Sequence, residues 1–274
     1  MSFAEAPACH CGARDYTIAF AGSSSRLGLD DFRFEVAVCS ACGLARTLPV
    51  PDPEQYRDGY SQSTEGGRFT GIVTGGDRYS AGNAVWVKER LRGLRLLDVG
   101  CHTGNLVAAA IALGLDAEGI DLDPLATAAG RELGRPIRAA SVTELEGEYD
   151  GIVLSHVLEH VLELDPFLGE LERLLSPVGR IFVLSPHYRG LVPRLMGERW
   201  MAWFPSQHVW HFTPATLRSA VALRSPLRVA SCTTRGVLEP PSRGAKGTAK
   251  AVVSAVARAA RWGDQVEAVL ERKV

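Results

Sequence analysis

The segment Leu97-Asp98-Val99-Gly100-Cys101-His102-Thr103-Gly104-Asn105 reads as a buried strand that ends in a glycine turn and feeds a helix. A backbone turn at a helix N-terminus presents unpaired N–H groups and the positive end of the helix dipole to a polar or anionic ligand. Gly100 and Gly104 allow the ligand to come close to the main chain. Asp121 lies 17 residues beyond Gly104, at the end of the next predicted strand, where a carboxylate can accept both hydroxyls of a ribose. Strand, turn, helix, strand and acid together recognise an adenosine-type cofactor. A dinucleotide fingerprint would need glycines at 100, 102 and 105, and His102 and Asn105 stand at the last two.

The surrounding chain has the texture of a doubly wound α/β domain with a mostly parallel sheet. Strands are predicted at 94–99, 117–121, 137–140, 151–155, 180–184 and 227–232. A helix from Asn105 to Leu113 is ended by Gly114, and the pairs Asp123-Pro124, Asp165-Pro166 and Thr213-Pro214 each spell a cap followed by proline in a first turn. A terminal helix is predicted from about Ala245. The chain of 274 residues is 46% hydrophobic and 22% charged, which excludes disorder, collagen and coiled coil. Its net charge of -1 gives no global attraction to nucleic acid or anionic membrane. The first residues hold neither a basic nor an apolar signal region, and the apolar run 106–113 is far short of the roughly 18 residues of a spanning helix. The expectation is a cytoplasmic protein with no membrane span.

The order Asp98-x-Gly100-x-x-x-Gly104 resembles motif I of the class I S-adenosylmethionine (SAM) methyltransferases, whose fold is Rossmann-like. Further matches follow in order. Tyr149-Asp150 with the apolar run to Ser155 and Leu158-Glu159-His160-Val161 is similar to a fourth-strand motif of a large bacterial group of these enzymes, F-D, apolar residues, then L-E-H-V. Leu174 to His187 resembles the group's R-L-L-x-P-G-G stretch and the strand after it, and His208 to Leu217 resembles its H-x-x-x-F-S/T-x-x-x-L segment. The resemblance covers about residues 94–235. It implies SAM as cofactor, held by Asp98, Gly100, Cys101, His102, Gly104, Asn105, Asp121, Leu122, Ser141, Val142, Ser155 and His156. The group usually has glycine where His102 stands, and histidine is among the side chains that tolerate positive φ.

His156-Val-Leu-Glu159-His160 also spells H-x-x-E-H, a zinc-peptidase pattern that needs both imidazoles on one helical face. His156 falls at a strand end, which argues against it. Three histidines are candidate general bases: His208, favoured over His211, and His156, which can face the acceptor. Methyl transfer from a sulfonium needs a base only for a hydroxyl or an acidic carbon, and positioning supplies much of the rate.

Residues 1–48 are predicted to form a zinc-ribbon-like module in which Cys9, Cys11, Cys39 and Cys42 bind structural Zn²⁺ around a short β segment near Phe32, Phe34, Val36 and Val38. The first pair is C-x-C, one residue short of a knuckle, so His10 as a substitute ligand and free buried thiols both stay open. Cys101 and Cys232 have no pair and read as packing residues. Residues 49–82 read as a flexible linker or lid, with seven glycines after residue 56 and tyrosines at 56, 60 and 79.

The methyltransferase domain is expected at 83–240, with 186–212 as an acceptor-site insertion. Met196, Trp200, Met201, Trp203, Phe204, Trp210 and Phe212 crowd that insertion, either covering the end of the sheet or walling an acceptor pocket. The tail 241–274, net +4 from Arg243 to Lys273, is predicted to be a helix docked on the body, with a membrane-surface or oligomer contact as the alternative. The sequence thus points to methyl transfer from SAM to a small-molecule acceptor, a sugar, glycan-linked unit or secondary metabolite, with oxygen as the favoured nucleophile. Two other classes stay open: a zinc-ribbon binding protein whose SAM-like domain has lost turnover, and an NAD-dependent oxidoreductase. The oligomeric state is not legible.

Overall fold

The computed structural model describes residues 7–23, 33–50, 78–236, 256, 260 and 262–273. Strands β4 (Arg95–Val99), β5 (Asp116–Asp121), β6 (Ile137–Ala139), β7 (Tyr149–Ser155), β8 (Leu175–Pro186), β10 (Leu227–Arg235) and β11 (Gln265–Arg272) form one seven-stranded sheet in the order β10-β11-β8-β7-β4-β5-β6. The pairs β4–β5, β5–β6, β4–β7 and β7–β8 are parallel, and β11 runs antiparallel to both β8 and β10. The order reverses between β4 and β7, the switch point beyond which a doubly wound sheet opens a crevice at its carboxyl ends. Helices α1 (Arg78–Lys88), α2 (Asn105–Ala112), α3 (Pro124–Glu132), α4 (Leu164–Arg173) and α6 (Pro214–Arg224) accompany the sheet, and a short α5 spans Leu191–Met196.

The predicted caps mostly hold. The Asp123 carboxylate accepts from Leu125 N and Ala126 N, and Thr213 forms a capping box with Thr216. At the third, the helix begins one residue before Asp165 with Glu163 as N-cap, so Pro166 sits inside the first turn. Proline is tolerated there because the first four N–H groups of a helix have no partner within it.

Two expectations need correction. The predicted terminal helix is a strand over Gln265–Arg272, and Val266, Val269 and Leu270 lie buried on a strand paired on both sides within the large sheet. With both faces covered, a central strand loses the alternation that identifies it in a sequence. Most of 241–264 lies outside the described residues. The linker expected over 49–82 gives way to α1 by Arg78, and Tyr56 and Tyr60 lie outside the described residues.

The cysteine segment is bound into the rest of the protein. Strands β1 (Tyr16–Ser23), β2 (Arg33–Cys39) and β3 (Ala45–Leu48) make an antiparallel sheet, with Phe32 outside the described residues, and its fourth strand is β9 (Trp210–His211) from the far end of the chain. Cys9, Tyr16, Ala37 and Leu44 share one buried apolar cluster with Leu97, Leu154, Leu168 and Leu217. The predicted aromatic stretch covers this small sheet: Trp200 and Trp203 are buried with Phe34, Val36, Ala45 and Tyr188, and Phe20 stacks on Trp203 at 4.7 Å. Trp210 is buried and its Nε1–H donates to Val161 O at 2.7 Å. Trp210 also lies in the buried cluster that contains residues of both sheets.

Candidate active site at the strand ends

The glycine turn forms as predicted. Gly100 has φ +71°, His102 φ +50° and Gly104 φ +79°, so three residues of five take the left-handed backbone and curl the chain over the start of α2. At Gly100 a side chain is excluded twice, by φ and by Val157 Cγ2, which lies 2.5 Å from where a Cβ would stand. That contact sets the turn directly against the residue after His156. His102 carries the positive φ that a glycine would take without strain, as expected for one of the tolerant side chains.

Asp121 ends β5 beneath the turn, with Oδ2 accepting from His102 N at 2.7 Å and Oδ1 from Asp123 N at 2.9 Å. Burial, opposed by those two N–H groups, holds the Asp121 carboxyl above its ordinary range. Asp98 is buried behind it, and burial followed by the charge of Asp121 pushes its carboxyl up to about 8. Leu122, next in the chain, is 73% exposed, an apolar side chain left on the rim. Ser141 caps a short 3-10 turn (Val142–Glu144) through a capping box with Glu144, and Val142 is buried. Cys101 is buried with its Sγ in the space beside Gly119, a packing role, and Cys232 Sγ lies 3.7 Å from Pro214 O.

On the other side of the switch point, Ser155 ends β7 half-buried and His156 follows with φ +58°. A 3-10 turn (Leu158–His160) comes next, so His156 and His160 do not share a helical face and the peptidase pattern is excluded. Glu159 is buried and anchors the imidazole. His156 Nδ1–H donates to Glu159 Oε1 at 3.2 Å, and Ser185 Oγ–H donates to Glu159 Oε2 at 2.9 Å. The remaining ring nitrogen, Nε2, meets Tyr79 Oη at 2.8 Å and Gln265 Nε2 at 3.1 Å. Burial would raise the Glu159 carboxyl, but His156 outweighs it and holds it at about 2. Desolvation lowers the His156 pKa; Tyr79 and then Glu159 outweigh that and carry it to about 10.

The other two candidate bases sit deeper. His208 is buried, donates from Nδ1 to Ala202 O at 2.9 Å, and burial drives its pKa well below the usual value. Thr47 Oγ1–H donates to His208 O, so toward His211 the same oxygen accepts, from Nε2–H at 2.9 Å. His211 is therefore a neutral, buried imidazole, with its pKa lowered by burial to about 3. His160 donates from Nδ1 to Gln207 O at 3.2 Å. Its ring, with His208 and Glu159, brings ligand-type atoms within 4.8 Å of one another, though both Glu159 oxygens are engaged by His156 and Ser185.

The four cysteines meet as predicted. Their Sγ atoms all lie within 4.8 Å of one another, with Cys9–Cys42 and Cys11–Cys39 each at 3.6 Å. Zn–S bonds of about 2.3 Å give a regular tetrahedron with S···S edges of about 3.8 Å, so the arrangement fits a Zn²⁺ ion with little adjustment. Burial pushes the Cys42 thiol up to about 11, while at Cys39 the backbone N–H groups of Cys42 and Ala41 overcome burial and lower it. His10 Nε2–H donates to Ala220 O at 2.9 Å, and the group of clustered ligand atoms holds the four cysteines without His10.

Sequence reasoning missed Ser185, Gln265 and Thr47 as parts of these networks, and placed Tyr79 only as one tyrosine of the expected lid. Only Glu159 carried a local signal, its position three residues after His156. The others reach the site from separate elements.

A protein-family model described as a methyltransferase domain matches residues 78–224. The chain is 30% identical over 132 residues, 44% of its length, to a ubiquinone biosynthesis O-methyltransferase of Rhodopseudomonas palustris strain BisB5, covering 52% of that protein. It is 28% identical over 170 residues, 57% of its length, to a protein of the same name from Bordetella avium, covering 67% of it. It spans about half the length of the first of these relatives. Among solved structures, its fold is similar to the 1,6-didemethyltoxoflavin-N1-methyltransferase of Burkholderia thailandensis (TM-score 0.56, 18% identity, 90% of this chain and 98% of that one). It is also similar to the magnesium protoporphyrin IX methyltransferase of Synechocystis PCC 6803 (TM-score 0.57, 16% identity, 81% and 100%). Both were solved with S-adenosylhomocysteine bound.

Proposed function

The chain belongs to the methyltransferase-domain family and carries the class I methyltransferase fold, and from that premise we propose that it transfers a methyl group from SAM to a hydroxyl of a small-molecule acceptor. The observation that carries the hydroxyl reading is His156: a partly exposed imidazole at the end of β7, one residue from the contact with Gly100, held at Nδ1 by the buried Glu159. A histidine whose far nitrogen is fixed by a carboxylate presents Nε2 in a fixed orientation. With its pKa raised to about 10 by Tyr79 and Glu159, it acts as the base through its deprotonated fraction, so methyl transfer should rise with pH toward that value. His208 and His211, both buried and hydrogen-bonded into the small sheet, are assigned to positioning instead.

The residues fit the cofactor. Gly100, Cys101, His102 and Gly104 offer a backbone cradle at the start of α2, Asn105 opens that helix, and Asp98 and Asp121 supply buried carboxyls beneath it. Leu122, Ser141, Val142 and Ser155 complete the proposed cofactor contacts along the strand ends. When bound there, SAM supplies an electrophilic methyl group on a good leaving group. The chain's own residues do the rest: the turn orients, and His156 Nε2 takes the hydroxyl proton while Glu159 stabilises the resulting imidazolium. The four cysteines are assigned to structural Zn²⁺, supported by their spacing, and residues 1–48 to a module that steadies β9. Among the described residues no helix is long and apolar enough to cross a membrane. The names of the curated relatives, which are O-methyltransferases, support oxygen as the nucleophile.

The test has two steps. Equilibrium dialysis should show uptake of SAM and of S-adenosylhomocysteine, and labelled SAM incubated with fractionated extract of the native host should yield a labelled product whose methyl sits on oxygen. No uptake of either compound by folded, zinc-loaded protein would overturn the reading; a methyl found on nitrogen would overturn the role of His156 as base, and one on carbon would overturn the hydroxyl acceptor.

A further inference from the structure

Tyr79 reaches His156 from the first turn of α1. Its hydroxyl lies 2.8 Å from His156 Nε2, Nδ1–H is committed to Glu159, and one proton is shared across the Oη–Nε2 contact: Tyr79 raises the imidazole pKa, and His156 lowers that of the phenol. This is the arrangement a general base makes with the hydroxyl it deprotonates, drawn with a side chain of the protein in place of a substrate. Gln265, at the start of β11, completes the seat. Its Nε2 donates to Tyr79 Oη and stands 3.1 Å from His156 Nε2.

Two features set this contact apart from ordinary packing. Tyr79 is 37% exposed, so its ring can leave without opening the core. Gln265 is 2% exposed, and its Oε1 is buried with no hydrogen-bond partner among the described residues. A buried amide oxygen left unpaired costs about 1–3 kcal/mol, and it stands beside the one hydroxyl that the proposed base holds. Interchanging the amide O and N would orphan the nitrogen instead, so the unmet group belongs to the site in either assignment.

We propose that this seat is the acceptor subsite: the reacting hydroxyl of an acceptor with a phenol-like ring replaces Tyr79 Oη against His156 Nε2, held by the Gln265 amide, while Tyr79 withdraws. The ring class follows from the present occupant, a phenol whose plane is tilted 41° to the imidazole with centroids 5.9 Å apart. The inference rests on the reading of His156 as the base. Tyr79 then acts as a tethered competitor that fills the seat until an acceptor arrives.

The probe is p-cresol, the tyrosine side chain as a free molecule, with toluene as the control that lacks the hydroxyl. Binding is followed through the His156 imidazole resonances with S-adenosylhomocysteine present, and SAM affinity is measured by equilibrium dialysis for every variant. Tyr79→Ala should bind p-cresol at least tenfold more tightly than the natural sequence and at least fivefold more tightly than toluene. Its SAM affinity should stay within twofold. Tyr79→Ser, whose small polar side chain is tolerated in a first helical turn, carries the same expectation and decides the matter if the alanine variant does not fold. Unchanged p-cresol affinity, or no preference over toluene, with SAM binding intact would overturn the acceptor seat alone. Loss of SAM binding by the natural sequence would instead overturn the methyltransferase reading.

Discussion

On the β4–β5 side of the large sheet, most groups proposed to hold the cofactor come from one stretch, residues 98–142, where a strand, a turn and a strand follow one another. On the β7–β11 side, His156 meets Tyr79 across 77 positions and Gln265 across 109, and Thr47 meets His211 across 164. The first half is made of local backbone geometry. The second is made of side chains that tertiary structure alone brings together. A site built in this way can keep its cofactor half constant while its acceptor half changes with single side chains. It also makes the acceptor half depend on the cysteine segment, because β3 pairs with β9 and Thr47 ties down both deep histidines.

The harshest test of that dependence is Cys39→Ser. Structural zinc sites contribute about 10–16 kcal/mol of apparent binding free energy in small domains. One thiolate fewer should abolish stoichiometric zinc, measured by elemental analysis, and unfold β1–β3 together with β9. If the two halves are as distinct as their construction suggests, a partly folded variant should lose p-cresol binding before SAM binding. Simultaneous loss of both at one denaturation midpoint would show that the halves are a single cooperative unit.

His156→Gln comes next. General-base catalysis contributes about 10²–10⁴-fold in rate, so formation of the O-methylated product should fall by about that factor while SAM affinity stays within twofold. Asp121→Ala acts on the opposite half and should reverse the pattern. Two hydrogen bonds to a charged carboxylate, each worth about 1.5–3 kcal/mol, correspond to a loss in SAM affinity on the order of 10² or more. Because Asp121 also fixes His102 N, some of that loss comes from a loosened turn, and Asp121→Asn should recover part of it. An alanine variant with unchanged SAM affinity would remove the ribose assignment.

The buried carboxyl behind the turn adds a pH dependence. Asp98 is raised from the ordinary carboxylate value near 3.8 to about 8, so the native state favours its protonated form. The unfolded chain releases that proton at lower pH than the native chain. The stabilisation is therefore full below about 3.8 and is lost as pH rises through 8. Asp98→Asn should lose this dependence, gaining melting temperature by a few degrees relative to the natural sequence at pH 8 and gaining nothing at pH 4. His211, lowered to about 3, contributes with the opposite slope: its stabilisation is full above the unfolded value near 6.5 and is lost as pH falls toward 3.

These two constructions also decide what could be read from the chain. The turn, the caps at Asp123 and Thr213 and the two cysteine pairs depend on spacings of a few residues, and each stands where the spacing indicated. Strand β11 carries no strand period because burial on both faces erases it, and β1 shows none because only Tyr16 of its eight residues is buried. The crowded aromatics near Trp203 pack on the small sheet, which no local pattern discloses, since their partners Phe34 and Ala45 lie more than 150 residues earlier. Gln265 is beyond reach for the same reason, with no neighbour that marks it, whereas Tyr79 stands in the glycine-rich stretch read as a lid, which indicates its region but not its partner His156.

Thr47 offers the finest test of the link between the cysteine sheet and the acceptor side. Its hydroxyl donates to His208 O at 2.7 Å and accepts from His211 Nε2–H at 2.9 Å, both in the interior. Thr47→Val keeps the shape and the β-branched preference of the strand but leaves one buried acceptor and one buried donor unmet. The cost should be about 1–3 kcal/mol by chemical denaturation, and Thr47→Ser should restore most of it. Since neither histidine is the proposed base, the valine variant should keep the pH profile of methyl transfer and the SAM affinity of the natural sequence. A displaced pH profile would mean that His208 or His211 handles the acceptor proton, and the division of labour between the shallow and the deep histidines would have to be redrawn.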